Sequence, residues 1–328
     1  MNASRLRQIL DHYPNIKLLV IGDFFLDNYL HLQRNLSEVS LETGLEAYQV
    51  VKLRKLPGAA GTVTANIRQQ ESSVVILGAV GDDGNGYDLR AGLSNIGVDV
   101  SALIVSPDLF TPTYNKPMMS ELDGSEHELN RMDVKNRSPL QKIVEDEIIR
   151  RLRELVPLVQ GVLIVDQVQE ANCGVITDRV RAEIELFARS YPKKPFIADS
   201  RERAHLFQDV ILKTNLTEAL KAAGMDPNTA AADLPAITSC CEKLYRRTNN
   251  PVIITRAEHG CIVFSDPGTP LVQIPAIPVD GPIDVVGAGD SFLASLGLAL
   301  SSGAELREAA LIGTLSASIV VQQIGTTG

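Results

Sequence analysis

Short runs rich in Val, Ile and Leu recur along the chain, at Lys17–Gly22, Ser73–Ala79, Gly161–Asp166, Pro195–Asp199, Val210–Lys213, Val252–Thr255 and Cys261–Phe264. They are continuously apolar rather than alternating, as strands buried on both faces of a parallel sheet must be. Between them lie longer amphipathic stretches with helical spacing, among them Thr62–Gln70, Asp88–Asn95, Leu140–Leu155, Val175–Ser190 and Ser291–Leu300. This alternation predicts a doubly wound, mostly parallel α/β sheet with helices on both faces, where ligands sit beyond the carboxyl ends of the strands.

Two stretches break the alternation. His31–Lys55 holds patches of period 2, such as Leu45 to Val50, and Thr113–Arg131 mixes polar and apolar residues around Asp123-Gly124, a hairpin-turn dipeptide. They predict antiparallel strands of a small lid, about 31–55 and 113–131, over the sheet's carboxyl edge. No repeat, low-complexity tract or Pro/Gly-rich linker interrupts the pattern, so residues 1–328 read as a single domain.

Composition narrows the partners. With 45% hydrophobic and 22% charged residues the chain is of ordinary globular type, long enough for a large core. Trp is absent, aromatics make up 5% and the formal charge is −9, which together argue against nucleic-acid binding. No apolar stretch approaches the roughly 20 residues of a membrane helix, and Met1 to Tyr13 reads as a short amphipathic helix rather than a signal segment. The reading is a soluble cytoplasmic protein. Cys173, Cys240, Cys241 and Cys261 fit no metal spacing and read as reduced thiols.

The most informative chemistry lies in Asp284-Val285-Val286-Gly287-Ala288-Gly289-Asp290-Ser291-Phe292, followed by an apolar helix. Gly287 and Gly289 around Ala288 allow a tight turn, and a helix starting there presents unpaired N–H groups and a positive dipole end to an anion. Asp290 at the mouth of that site can accept the proton of an attacking hydroxyl. The plain alternative is a loop whose Asp caps a helix.

The whole stretch resembles the C-terminal signature D-x-x-G-A-G-D-x-F of the PfkB/ribokinase carbohydrate kinases. Other positions fall into that family's order from Val20 to Thr326. Gly22-Asp23 through Asp27 resembles its G-D-x-x-x-D, which implies that Asp23 and Asp27 bind substrate hydroxyls. Gly78 to Gly86 resembles its G-x-x-G-x-D-x-x-G. Asn215 to Glu218, after Lys213, resembles the N-x-x-E motif, which implies Mg²⁺ held by Asn215 and Glu218 through water. Thr255-Arg256 to Gly260 resembles the T-x-x-x-x-G stretch beside the nucleotide. Within the family the chain looks most like the heptose-7-phosphate kinase group, through a lid at Ser37–Val51, an R-x-D at Arg131-Met132-Asp133 and a terminal nucleotide loop at Ile324-Gly325-Thr326.

The resemblance implies a ribokinase-like fold and ATP-dependent phosphorylation of an alcohol group on a sugar. It places Gly287, Ala288, Gly289 and Asp290 in catalysis. It places Asp23, Asp27, Gly58, Thr62, Asp166 and Arg131 around the sugar. Lys213, Asn215, Glu218, Thr255, Arg256, Gly260, Asp284 and Gly325 then surround ATP. It leaves a monovalent-cation requirement open and lets the lid edge pair with a second copy as a homodimer.

Three departures mark the acceptor half. The family's G-G-A-A-N is here Gly58-Ala59-Ala60-Gly61-Thr62, Cys173 stands where the heptose-phosphate kinases tend to have Lys, and Val286 replaces the more usual Thr. They point to shifted sugar specificity, and the lost cation argues against a phosphorylated acceptor unless Arg131 or Lys116 of the lid substitutes for it. They also keep two rivals in view, a nucleoside kinase of the same fold and a sugar- or nucleotide-binding regulator without catalysis.

Overall fold

A computed structural model describes residues 1–227 and 233–325. Its centre is a nine-stranded sheet in the order Val272–Ile274, Cys261–Phe264, Val252–Thr255, Ile211–Asn215, Phe196–Ser200, Gly161–Asp166, Lys17–Gly22, Ser73–Gly81 and Leu103–Ser106. The seven strands from Val252–Thr255 to Leu103–Ser106 run parallel. Cys261–Phe264, whose apolar run had not set it apart from the parallel strands, and Val272–Ile274, which was not foreseen, are antiparallel additions at one edge. Cys261–Phe264 turns back because Gly260 sits at φ +77, where an added β-carbon would lie 2.0 Å from the Ile274 carbonyl oxygen.

The apolar runs divide their side chains between two cores, as the two-residue repeat of a strand requires. Leu19, Ile21, Val162 and Ile164 pack with Ile148 and Leu152 of the helix Lys142–Leu155, Ile184 of Asp178–Ser190 and Leu244 of Leu234–Thr248. Leu18, Val20, Leu163 and Val165 face the other way, onto Val63 and Ile67 of Ala60–Gln69, Leu89 of Gly84–Asn95 and Phe292 and Leu296 of Ala288–Ser301. Being buried on both faces is what removes the alternation from these strands.

The lid is a second sheet in the order Met132–Val134, Thr113–Ser120, Phe24–Gln33 and Val50–Ala59, with Glu126–Glu128 folded back on Thr113–Ser120 across the Asp123-Gly124 turn. It differs from the expectation in three ways. Its first strand starts at Phe24, a single residue after the sheet strand Lys17–Gly22, and its apolar root of Phe24, Phe25 and Leu26 is buried, which hides it from a period-2 search. Phe24–Gln33 pairs antiparallel with Val50–Ala59 but parallel with Thr113–Ser120. The Leu45 to Val50 alternation faces no core: Glu46–Ala47 pairs with Glu38–Val39, Val50 already belongs to the next lid strand, and Leu45 is 69% exposed.

Among the described residues no helix is long and apolar enough to cross a membrane.

Candidate active site

The helix Ala288–Ser301 starts from Gly287, whose backbone is left-handed at φ +81 and ψ −5, a conformation that a β-carbon opposes. Its first α-helical bond runs from the Ser291 amide to the Gly287 carbonyl at 2.9 Å. The amides of Gly289 and Asp290 therefore precede that bond at the positive end of the helix. Asp284 holds the turn from behind: Oδ1 accepts the Val286 amide at 3.0 Å and Oδ2 accepts the Gly325 amide at 3.0 Å. Thr326, the last residue of the resemblance, lies outside the described residues.

Asp290 keeps partial contact with solvent, yet protein crowds its carboxyl on every side. Burial pushes its pKa up to about 7, with Lys213 pulling down, Asp199 pushing up, Arg201 pulling down and Asp27 pushing up. Lys213 and Asp199 lie on neighbouring sheet strands, Arg201 just follows the strand of Asp199 and Asp27 lies on a lid strand, so the helix start is the meeting point of sheet and lid. Lys213, at the carboxyl end of Ile211–Asn215, is buried and donates to Asp199 Oδ2 at 2.6 Å. Burial alone would favour its neutral form, but Asp199, and after it Asp290 and Glu218, hold it in the charged state. A β-carbon on Gly289 would stand 3.2 Å from Lys213 Nζ, so the ammonium lies directly beneath the turn.

From the lid, Asp27 reaches the same space. Its carboxylate lies over Gly58, where a β-carbon would come within 3.1 Å of it, and 3.3 Å from Lys116 Nζ. Burial works against the Lys116 charge, but Asp27 and Tyr29 keep its pKa above the ordinary lysine value. Phe25, Val168 and Cys173 form a small separate core with Ala59 and Tyr114 at the lid's root. Ala59 adopts φ +52 and ψ −117 to stay in it, a backbone suited to Gly. Cys173 thus contributes packing where a cation was expected.

Several assigned residues also hold the fold together. Asp23 is buried and its carboxylate accepts three backbone amides, Gln167 at 2.8 Å, Val168 at 2.9 Å and Val175 at 2.7 Å. These bonds shape the loop after Gly161–Asp166. Asp166 is buried in an ion pair with Arg203 and accepts Ser200 Oγ at 2.6 Å. Thr62 is buried in the first turn of its helix and donates to the Pro57 carbonyl at 3.3 Å. Asn215 and Glu218 close a capping box on Leu216–Ala222, each side chain accepting the other's amide at 2.9 and 3.1 Å. Thr255 Oγ1 donates to the Thr214 carbonyl at 3.3 Å, and Arg256 and Gly260 form the turn between two strands. Arg131 is doubly bonded to Asp133, at 2.7 and 2.9 Å, and its guanidinium stacks 4.0 Å from the Tyr114 ring centroid. In the Gly78 to Gly86 segment Asp83 caps Gly84–Asn95 through the Gly86 amide at 2.7 Å and also accepts the Thr111 amide at 2.9 Å.

Asp199 and Arg201 were not foreseen. Their signal was a strand ending at Asp199, because the carboxyl ends of such strands face the ligand. Arg201 is exposed, and its positive charge works against the burial that raises the Tyr114 pKa. The assembled site joins an amide-lined helix start, a buried ammonium and two carboxylates, one from the helix and one from the lid, which suits phosphoryl transfer from a charged donor to a hydroxyl.

The family model described as pfkB family carbohydrate kinase matches residues 31–328. The chain is 30% identical over 310 residues, 94% of its length, to the bifunctional protein HldE of Wolinella succinogenes, and 30% identical over 330 residues to that of Geobacter metallireducens. It spans only 62% and 64% of the length of those two relatives. Among solved structures it is similar to a ribokinase of Cryptococcus neoformans in complex with ADP, at 20% identity and TM-score 0.66, covering 95% of this chain and 96% of that one. An Arabidopsis thaliana ribokinase complexed with ribose and ATP is similar at 19% identity and TM-score 0.67, covering 95% and 94%. These likenesses confirm a ribokinase-like architecture, and with the family match over most of its length the chain belongs to the pfkB family of carbohydrate kinases.

Proposed function

We propose that this chain transfers the terminal phosphoryl group of ATP to a hydroxyl of a sugar. The hydroxyl oxygen attacks phosphorus, the bond to the bridging oxygen breaks, ADP leaves and the hydroxyl proton passes to Asp290. The observation that carries this reading is the placement of Asp290 between Lys213 beneath the Gly287 turn and Asp27 of the lid. The amides of Gly289 and Asp290 hold the moving phosphoryl, Lys213 balances its charge from below, and Asp27 orients the acceptor. The lid limits water at the acceptor.

Asn215 and Glu218 fit magnesium as oxygen donors acting through water, since their capping box already engages them and no cluster of three or more metal-ligating side chains occurs among the described residues. When bound with ATP, the ion supplies neutralisation of phosphate charge. Arg201 offers the exposed cation missing at Cys173, which favours an acceptor bearing an anionic group, as a heptose phosphate does. The lid edge Val50–Ala59 has one unpaired side and Val50, Val51 and Leu53 exposed on it, and a second copy of the chain is the proposed partner.

The test is ADP release from MgATP over phosphorylated and unphosphorylated sugars and nucleosides. Wild type should turn over at least one sugar, and Asp290→Asn should lose about 10²- to 10⁴-fold. Full activity in that variant sinks the assigned base, and turnover of nucleosides alone would reassign the acceptor. Ligand stabilisation without any turnover would reduce the protein to a binding role.

A further inference from the structure

Two contacts of the lid play no part in the chemistry just described. Tyr29 stands directly across from Arg54 on one neighbouring strand and Lys116 on the other. The Arg54 guanidinium lies 3.9 Å from the Tyr29 ring centroid, and Lys116 Nζ lies 4.7 Å from it and 3.2 Å from the Tyr29 hydroxyl. Lys116 continues to Asp27, the acceptor carboxylate. On its other side Arg54 leaves the lid altogether, with Nη1 donating to the Gly325 carbonyl. The Gly325 amide donates to Asp284 Oδ2, and Asp284 Oδ1 holds Val286, the residue before Gly287. An unbroken series of contacts therefore runs from the acceptor carboxylate to the phosphate-binding turn, and among the described residues Arg54 makes its step from lid to turn.

We propose that Arg54 is a positioning residue for phosphoryl transfer, coupling the lid to the phosphate-binding turn through Tyr29 and Lys116 on one side and Gly325 and Asp284 on the other. The inference rests on the proposed kinase function. A guanidinium is suited to the task, since its plane stacks on the ring while its edge donates to a carbonyl. Ordering of the turn by nucleotide then orders the lid, and by linkage acceptor held at Asp27 strengthens nucleotide binding by the same factor.

Hydrogen exchange on the full chain, with and without a magnesium complex of the non-hydrolysable ATP analogue AMP-PNP, tests this. In wild type the analogue should slow exchange at residues 284–290 and also, by about tenfold, along Phe24–Gln33 and Val50–Ala59. Arg54→Ala should keep the slowing at 284–290 and lose that of the lid, whereas Tyr29→Phe, which retains the ring, should keep both. Arg54→Gln provides the same reading should Arg54→Ala fail to fold. A lid response unchanged in the Arg54 variants, or absent in wild type while 284–290 respond, overturns the coupling and leaves the kinase reading intact. No response at 284–290 in wild type overturns the phosphate site itself.

Discussion

Asp290 is an aspartate whose surroundings make it titrate near neutrality. Burial lifts it from the ordinary 3.8 to about 7, so between about pH 4 and 7 the folded protein holds a proton that the unfolded chain has released. Stability contributed by this group is present below that window and is lost as pH rises through it. The neutral variant Asp290→Asn should therefore melt above wild type at pH 8 and level with it below pH 4. Activity has the opposite sign, since only the ionised form accepts a proton, so wild-type kcat/KM should climb as pH passes about 7. Thermal melts and a pH–rate profile check both, and a flat profile from pH 5 to 8 would remove Asp290 from the role of base. Asp290 was singled out by its place after a glycine turn and Asp27 by the family resemblance. The structural partners of Asp23 and Asp166 were not legible, because a strand-terminal acid looks the same whether it faces a ligand or its own loop. What decides is distant in sequence: Gly174, where a β-carbon would come 2.6 Å from Asp23 Oδ1, and Arg203 against Asp166.

At the level of elements, one motif can serve the fold and the reaction together. The Asn215 to Glu218 segment is a capping box in the structure, and its sequence suits a helix start and a magnesium neighbour equally well. Asn215→Ala should cost about 1 kcal/mol of stability, while Asn215→Ser, which can still cap, should stay close to wild type. Chemical denaturation measures this, and equal stability of the two variants would mean that the cap contributes little. Seven of the nine sheet strands were readable nearly to the residue because burial on both faces leaves an unmistakable apolar run, whereas the two edge strands Leu103–Ser106 and Val272–Ile274 were not. The lid was not, because its root is buried while its outer strand exposes one position after another, so neither obeys the two-residue rule of a half-covered sheet.

For the molecule as a whole, the two cores and the parallel centre follow from alternation of strands and helices, and the candidate cleft lies where that topology places it. Harder to foresee was the apolar outer surface of the lid, with Val39, Leu41 and Leu45 at 70%, 104% and 69% exposure. A patch of this kind beside an open strand edge calls for a partner. Sedimentation should give a dimer for the proposed self-association, and Val51→Lys with Leu53→Lys should give a monomer; wild type at monomer mass would remove the second copy.

The passage from Lys17–Gly22 into the lid has a further consequence. Only Asp23 lies between the two strands, and its amide and carboxylate are both tied to the segment 165–175. A residue added or removed there would rotate Asp27 to the opposite face of its strand and break the paired ladder on both sides. Changes of sugar preference in proteins built this way must therefore proceed by exchange of side chains, with growth or shortening of the chain confined to the far tips near residues 40–45 and 121–125.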